Sequence, residues 1–296
     1  MIPYSKQNIN QDDIDAVVEV LKSDYLTQGP IVSSFEDAVA SYVGSKFAVA
    51  VSSCTAGLHL ACLAAGLKKG DKALTTPISF VSTANAATYC GAEIDFVDID
   101  PKTINISVAQ ISQKLKHEKY KVIMPVHFSG LPCEMSDIKE IAKQSKSIII
   151  EDAAHALGAS YKCGSKVGSC KYSDMAVFSF HPVKSITTGE GGMLVFRNEE
   201  IYKRAAAWHD HGHENNPSVP RWEDTRSSSG FNYRMMELQG AIGIAQLRKL
   251  PLVVSSQRAN KAVLWQAISD LNGVDARIVP KDSYETADAL VFLVKD

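Results

Sequence analysis

The sequence predicts an α/β fold with a mostly parallel central sheet and helices on both of its faces. Short apolar runs recur along the chain, and between them apolar residues repeat at helical spacing. Gly44 and Gly66 close two of the helical segments. At 296 residues and 45% hydrophobic, the chain is long enough to bury an extensive core.

Residues 11–21 read as a helix with Ile14, Val17, Val18 and Leu21 on one face. Ser33-Ser34-Phe35-Glu36 has the form of a capping box, opening a helix through Tyr42 that Gly44 ends. Strands are expected at 47–51, 72–75, 94–97, 122–126, 147–150, 175–180 and 193–196. Helices are expected between them at 56–65, 81–89, 108–116 and 135–144, and then at 201–208, 235–250 and 256–271. The segment 210–229 is a long polar loop carrying Pro217 and Pro220, and such loops are often functional. A last strand-like run covers 289–294, close to the end of the sequence. The expected division is a large domain over 1–250 and the start of a small domain over 251–296, part of which is expected to be missing.

The 31 basic and 33 acidic residues are intermixed, with a net charge of −2, so no nucleic-acid surface is expected. The apolar runs are too short for a membrane span, and Met1-Ile2-Pro3-Tyr4-Ser5-Lys6 has no apolar signal core. Six scattered cysteines without a C-x-x-C pair suit a cytoplasmic protein with neither disulfides nor a structural metal site.

In open α/β sheets, ligands bind outside the carboxyl ends of the strands. Lys184 follows one strand and a turn-forming stretch, Gly189 to Gly192, follows the lysine; Asp152 ends another strand. Ser52-Ser53-Cys54-Thr55-Ala56-Gly57 is a small-residue turn into a helix, suited to a phosphate. Thr76-Pro77-Ile78-Ser79-Phe80 offers an aromatic ring after a further strand. An amine, a carboxylate, an anion-binding turn and a flat ring on one rim are what pyridoxal 5′-phosphate requires. Each piece has a blander reading: Asp152 as a helix cap, Phe80 as core, Ser179 as a strand end, and Asn232 as a turn residue.

Glu151-Asp152-Ala153-Ala154-His155-Ala156-Leu157-Gly158, the stretch from Ser179 to Gly192, and Gly230-Phe231-Asn232-Tyr233-Arg234-Met235 resemble the DegT/StrS nucleotide-sugar aminotransferases. Leu26-Thr27-Gln28-Gly29-Pro30 and Phe35-Glu36 also fit that pattern. The resemblance implies the PLP-dependent transferase fold of the aspartate aminotransferase type I. It implies transfer of an amino group from an amino acid, L-glutamate by analogy, to a keto-sugar, through a pyridoxamine phosphate (PMP) form. Enzymes acting on UDP-linked 4-keto-6-deoxy amino sugars are most similar over Thr75 to Asn85 and Ser179 to Gly192. The loop Asp210-His211-Gly212-His213 is instead similar to relatives that aminate an octulosonate sugar.

By resemblance, Lys184 is the Schiff-base lysine and proton carrier, and Asp152 pairs with the pyridine nitrogen. His155 contacts the cofactor's phenolic oxygen, and Phe80 stacks on its ring. Thr55, Ala56 and Ser179 hold the phosphate. Asn232 reaches the phosphate in a neighbouring subunit, which implies a homodimer with shared sites.

Rival readings are a sugar dehydratase of the same fold, in which a histidine replaces the lysine, and a non-catalytic PLP-binding regulator or inactive relative. The G-x-G-x-x-G of nicotinamide enzymes and the P-loop motif do not occur. The cluster Trp208-His209-Asp210-His211-Gly212-His213-Glu214 invites a metal reading, but its loop-like context favours a substrate-facing segment. His127 is left open between a ligand neighbour and a satisfied structural histidine.

Overall fold

The computed structural model describes residues 5–295. The reading of the first six residues as lacking a signal core falls largely outside them. Seven strands form the main sheet: β1 (Phe47–Val51), β2 (Lys72–Thr75), β3 (Glu93–Phe96), β4 (Val122–Ile123), β5 (Ile148–Asp152), β6 (Met175–Ser179) and β7 (Gly192–Phe196). Their order is β1-β7-β6-β5-β4-β2-β3. Only β7 runs against its neighbours, so the sheet is mostly parallel, as the alternating pattern predicts.

Successive strand residues point to opposite faces, and the core divides accordingly. Ala48, Ala50, Ala176, Phe178, Met193 and Val195 pack on one side with helices α2 (Pro30–Val43), α6 (Met135–Ser145) and α8 (Glu237–Ile268). Val49, Val51, Met175, Val177, Leu194 and Phe196 pack on the other with α3 (Cys54–Ala64), α4 (Ser82–Tyr89) and α7 (Glu199–His209). Helix α3 lies close on the sheet because Gly57 has no side chain; a Cβ there would meet Val177 Cγ1 at 2.7 Å.

Several local expectations change. Helix α2 begins at Pro30, ahead of the expected capping box. Its first turn is capped from far along the chain. The buried Glu237 carboxylate accepts from Ile31 N (2.7 Å) and Val32 N (3.2 Å). Glu36 does not cap the helix. It accepts instead from Ala50 N at 2.7 Å, on the open edge of β1, and burial raises its pKa to about 7. Strand β4 is shorter than expected because Pro125 has no N–H to donate; its carbonyl still accepts from Asp152 N at 2.9 Å.

In α1 (Gln11–Lys22), Ile14, Val18 and Leu21 share a face as expected, but that face is exposed. The side toward α8 buries Val20 and Asp13, the latter held by Gln246 at 2.9 Å and Lys249 at 2.5 Å. The two helices expected over 235–250 and 256–271 are one, with Pro251 inside it. Packing on α1 and α2 compensates for the hydrogen bond that the proline removes. The expected domain division at 250 falls within this helix. After it, β8 (Val274–Ala276) pairs antiparallel with β9 (Phe292–Val294), while Ser160 and Tyr284 exchange two backbone hydrogen bonds that return the intervening segment to the main body.

Candidate active site

A cavity of about 470 Å³ opens at the carboxyl ends of the strands. Among its lining residues are Lys184, Asp152, Phe80, Thr55, His155 and Ser179. The residues read from separate motifs therefore converge on one site.

Asp152 is buried at the end of β5. Its Oδ2 accepts from Thr83 Oγ1 at 2.6 Å and its Oδ1 from Ala154 N at 3.1 Å. These bonds fix the orientation of the carboxylate. Asp152 therefore does not serve as a helix cap. Behind it, Glu151 is also buried and satisfied, accepting from Tyr161 Oη (2.5 Å) and Ser173 Oγ and bonded to His127 Nε2 (2.6 Å). His127 has no exposed surface, and its Nδ1 accepts from Cys133 N at 3.1 Å. It borders the cavity, but both ring nitrogens have partners within the protein.

Lys184 sits in the turn after β6, its N–H donating to His181 O at 2.9 Å. The α3 N-terminus lies across the cavity. Ser53 Oγ accepts from Ala56 N at 3.1 Å, so the side-chain cap takes that amide. Ala56 itself is buried and does not line the cavity, which leaves the first amides of the helix, at Cys54 and Thr55, facing it. Gly192 permits the close approach of β7 here: a Cβ would meet the Ser53 and Cys54 backbone at 2.8 Å. Ser179 ends β6 on the cavity wall. Phe80 is 74% exposed, which rules out the core reading and leaves a ring free to stack.

His155 Nδ1 accepts from Ser129 N at 3.2 Å. Burial, then the charges of Lys184 and Arg277, depress its pKa to about 4, so the ring is neutral. Thr83 is a site residue missed from sequence; it lies one turn from Phe80, on a helix whose face only the fold orients. Asn232 is exposed and does not line the cavity.

The histidine cluster disperses. His209 bonds Ala206 O at 3.0 Å, His213 meets Asp224 Oδ2 at 3.1 Å, and His211 is exposed. None of the three lines the cavity, so the segment does not face it within one chain. Asp210 instead ties the loop down through Arg221 (2.7 Å) and Arg234 (2.5 Å). Burial alone would raise its pKa, but the two guanidinium groups hold it at about 2. A depressed carboxyl stabilises the fold above its unfolded pKa, and the contribution disappears as pH falls through the folded value. Asp210→Asn should therefore cost about 1–3 kcal/mol near neutral pH. Melting curves should show that difference shrinking as pH falls from about 4 toward 2; a constant difference would contradict the ion-pair assignment.

The model of the DegT/DnrJ/EryC1/StrS aminotransferase family matches residues 7–295. The chain belongs to this family. A UDP-4-amino-4,6-dideoxy-N-acetyl-beta-L-altrosamine transaminase of Campylobacter jejuni is 42% identical to this family member over 254 residues. That match covers 84% of the chain but only 65% of the Campylobacter protein, so the chain spans slightly less than two thirds of that relative's length. PseC of Helicobacter pylori, an aminotransferase of pseudoaminic acid biosynthesis, superposes with a TM-score of 0.91 at 30% identity, covering 99% of the chain and 78% of PseC. An aminotransferase from Psychrobacter cryohalolentis gives the same TM-score, identity and coverage: 0.91, 30%, 99% and 78%. The fold is that of the sugar aminotransferases. Among the described residues, no helix is long and apolar enough to cross a membrane.

Proposed function

We propose that this chain is a pyridoxal-phosphate-dependent aminotransferase that moves an amino group from an amino acid to a keto-sugar. The observation that carries the reading is that Lys184 and an anchored Asp152 carboxylate line one cavity, which the N-terminus of α3 also borders. These residues fit the cofactor. When bound, it supplies an electron sink for the carbon that bears the amine.

The protein's part follows from its own groups. The Cys54 and Thr55 amides, with Ser179, hold the phosphate. Asp152 would be the partner of the pyridine nitrogen, where its charge would favour the protonated state. Phe80 covers one face of the ring and excludes water. Lys184 Nζ would be the amine that holds the cofactor and the group that carries a proton in the transfer. Retention of a lysine here favours transamination over the dehydratase reading, which needs a histidine.

Family membership and the Campylobacter relative support a nucleotide-linked 4-keto-6-deoxy sugar as acceptor, with L-glutamate as donor, in the synthesis of amino sugars for surface glycans. The exposed Ile14, Val18 and Leu21 on α1 support a homodimer, in which Asn232 reaches the partner's phosphate. Six unpaired cysteines suit a cytoplasmic setting.

The test is a panel of keto-sugars offered to protein loaded with pyridoxamine phosphate. Nucleotide-linked 4-keto sugars should be aminated and return the cofactor to its aldehyde form. If no keto-sugar reacts while the cofactor stays bound, the reading fails. A fully active monomer would rule out the role of Asn232.

A further inference from the structure

The segment after β8 brings a carboxyl group to the site that no motif announces. The Asp288 side chain is only 7% exposed, and its Oδ2 lies 3.9 Å from His155 Nε2. Its Oδ1 has no hydrogen-bond partner. An unpartnered carboxyl oxygen buried this deeply is costly unless something nearby uses it.

The surrounding backbone is built to keep it there. Ser129 Oγ donates to Ala289 O (2.8 Å) and accepts from Ala289 N (2.9 Å), while Ser129 N donates to His155 Nδ1. Thr286 Oγ1 donates to His155 O at 2.6 Å. Gly130 allows that contact, since a Cβ there would sit 1.7 Å from Thr286 Oγ1. Between these clamps Ala287 is held at φ 58°, a left-handed conformation that alanine rarely adopts. One residue thus ties His155 to the strand of chain that carries Asp288.

The tautomer follows from the donors. A backbone N–H directed at Nδ1 requires a lone pair there, so the ring proton of neutral His155 resides on Nε2. The Asp288 carboxylate lies 3.9 Å from that nitrogen, within ion-pair range though longer than a hydrogen bond.

On the aminotransferase reading above, we infer that Asp288 is a positioning residue of the active site, which orients the Nε2–H of His155 beside Lys184. It supplies a negative charge where Lys184 and Arg277 both act on the same imidazole. Burial raises the Asp288 carboxyl to about 6, with Lys184 opposing the rise, so it is largely ionised at neutral pH.

The test uses the full chain labelled with ¹⁵N-histidine, without added cofactor; His155→Gln identifies the resonance. In the unsubstituted protein His155 should be a single neutral tautomer protonated on Nε2. Asp288→Asn should displace the His155 Nε2 resonance near pH 7, where the carboxylate is largely ionised. Asp288→Glu should reverse most of that shift. The same Nε2 resonance position at pH 7 in the unsubstituted protein and Asp288→Asn, both folded by circular dichroism, would overturn the inference. So would a ring protonated on Nδ1. If Asp288→Asn does not fold, Asp288→Ala takes its place: an Nε2 resonance unmoved from that of the unsubstituted protein overturns the inference, and a displaced one upholds it. Cofactor binding measured in parallel separates the two claims. A protein that binds no pyridoxal phosphate but shows the His155 shift loses the aminotransferase reading and keeps the positioning role.

Discussion

Lys184→Ala should abolish the visible absorption that pyridoxal phosphate acquires when linked to the protein. Lys184 lines the same cavity as Asp152, and its amine is the group proposed to make that link. Turnover should fall by at least about 10²–10⁴-fold, the usual contribution of a positioned acid–base group. The fold should survive, because Lys184 lies in a turn after β6, with half-buried neighbours, and makes no ion pair that the core depends on. The measurement is an absorption spectrum of the purified variant after reconstitution and desalting. A visible band that persists in Lys184→Ala would mean that another amine holds the cofactor.

Asp152→Asn should leave the fold intact and slow the reaction by about 10²-fold or more, the scale seen when a preorganised electrostatic partner is removed. Asparagine keeps the side-chain volume and one acceptor oxygen, so either the Thr83 or the Ala154 bond survives. It loses the negative charge that would favour a protonated pyridine nitrogen. Binding should weaken much less than turnover, because the α3 N-terminus and Phe80 remain. Single-turnover rates and a cofactor titration together make the comparison. A near-normal rate would remove Asp152 from the role of pyridinium partner.

Much of this architecture was legible from the residue pattern. Strands such as 47–51 and 72–75 are apolar runs buried on both faces, and their signal is local. The chemistry-bearing residues were legible for a related reason: each sits at a strand end or a helix start, where local sequence already implies exposure to a ligand. The Ala56 amide donates to the Ser53 cap, a bond that the turn's composition alone does not announce. Phe80 was ambiguous because exposure depends on what covers a ring, and nothing does.

Other features depend on partners far away in the chain. Ser33-Ser34-Phe35-Glu36 satisfies the local rule for a helix start, yet α2 starts at Pro30, and the cap comes from Glu237. The apolar stripe of α1 satisfies the rule for a buried face, yet Gln246 and Lys249 draw in Asp13 from another side of the helix. The histidines at 209, 211 and 213 look like a cluster, but α7 ends among them and their rings take separate partners.

The sequence by itself determined the layered α/β scaffold, the lysine and carboxylate at its rim, and the family to which both belong. Periodicity and strand-end placement are properties of adjacent residues, so they survive without coordinates. Only the tertiary structure decided which helix face is covered, that Thr83 braces Asp152, and that Asp288 arrives beside His155. Each of these joins residues distant in sequence, and such a contact is set by how packed layers meet, not by any local preference.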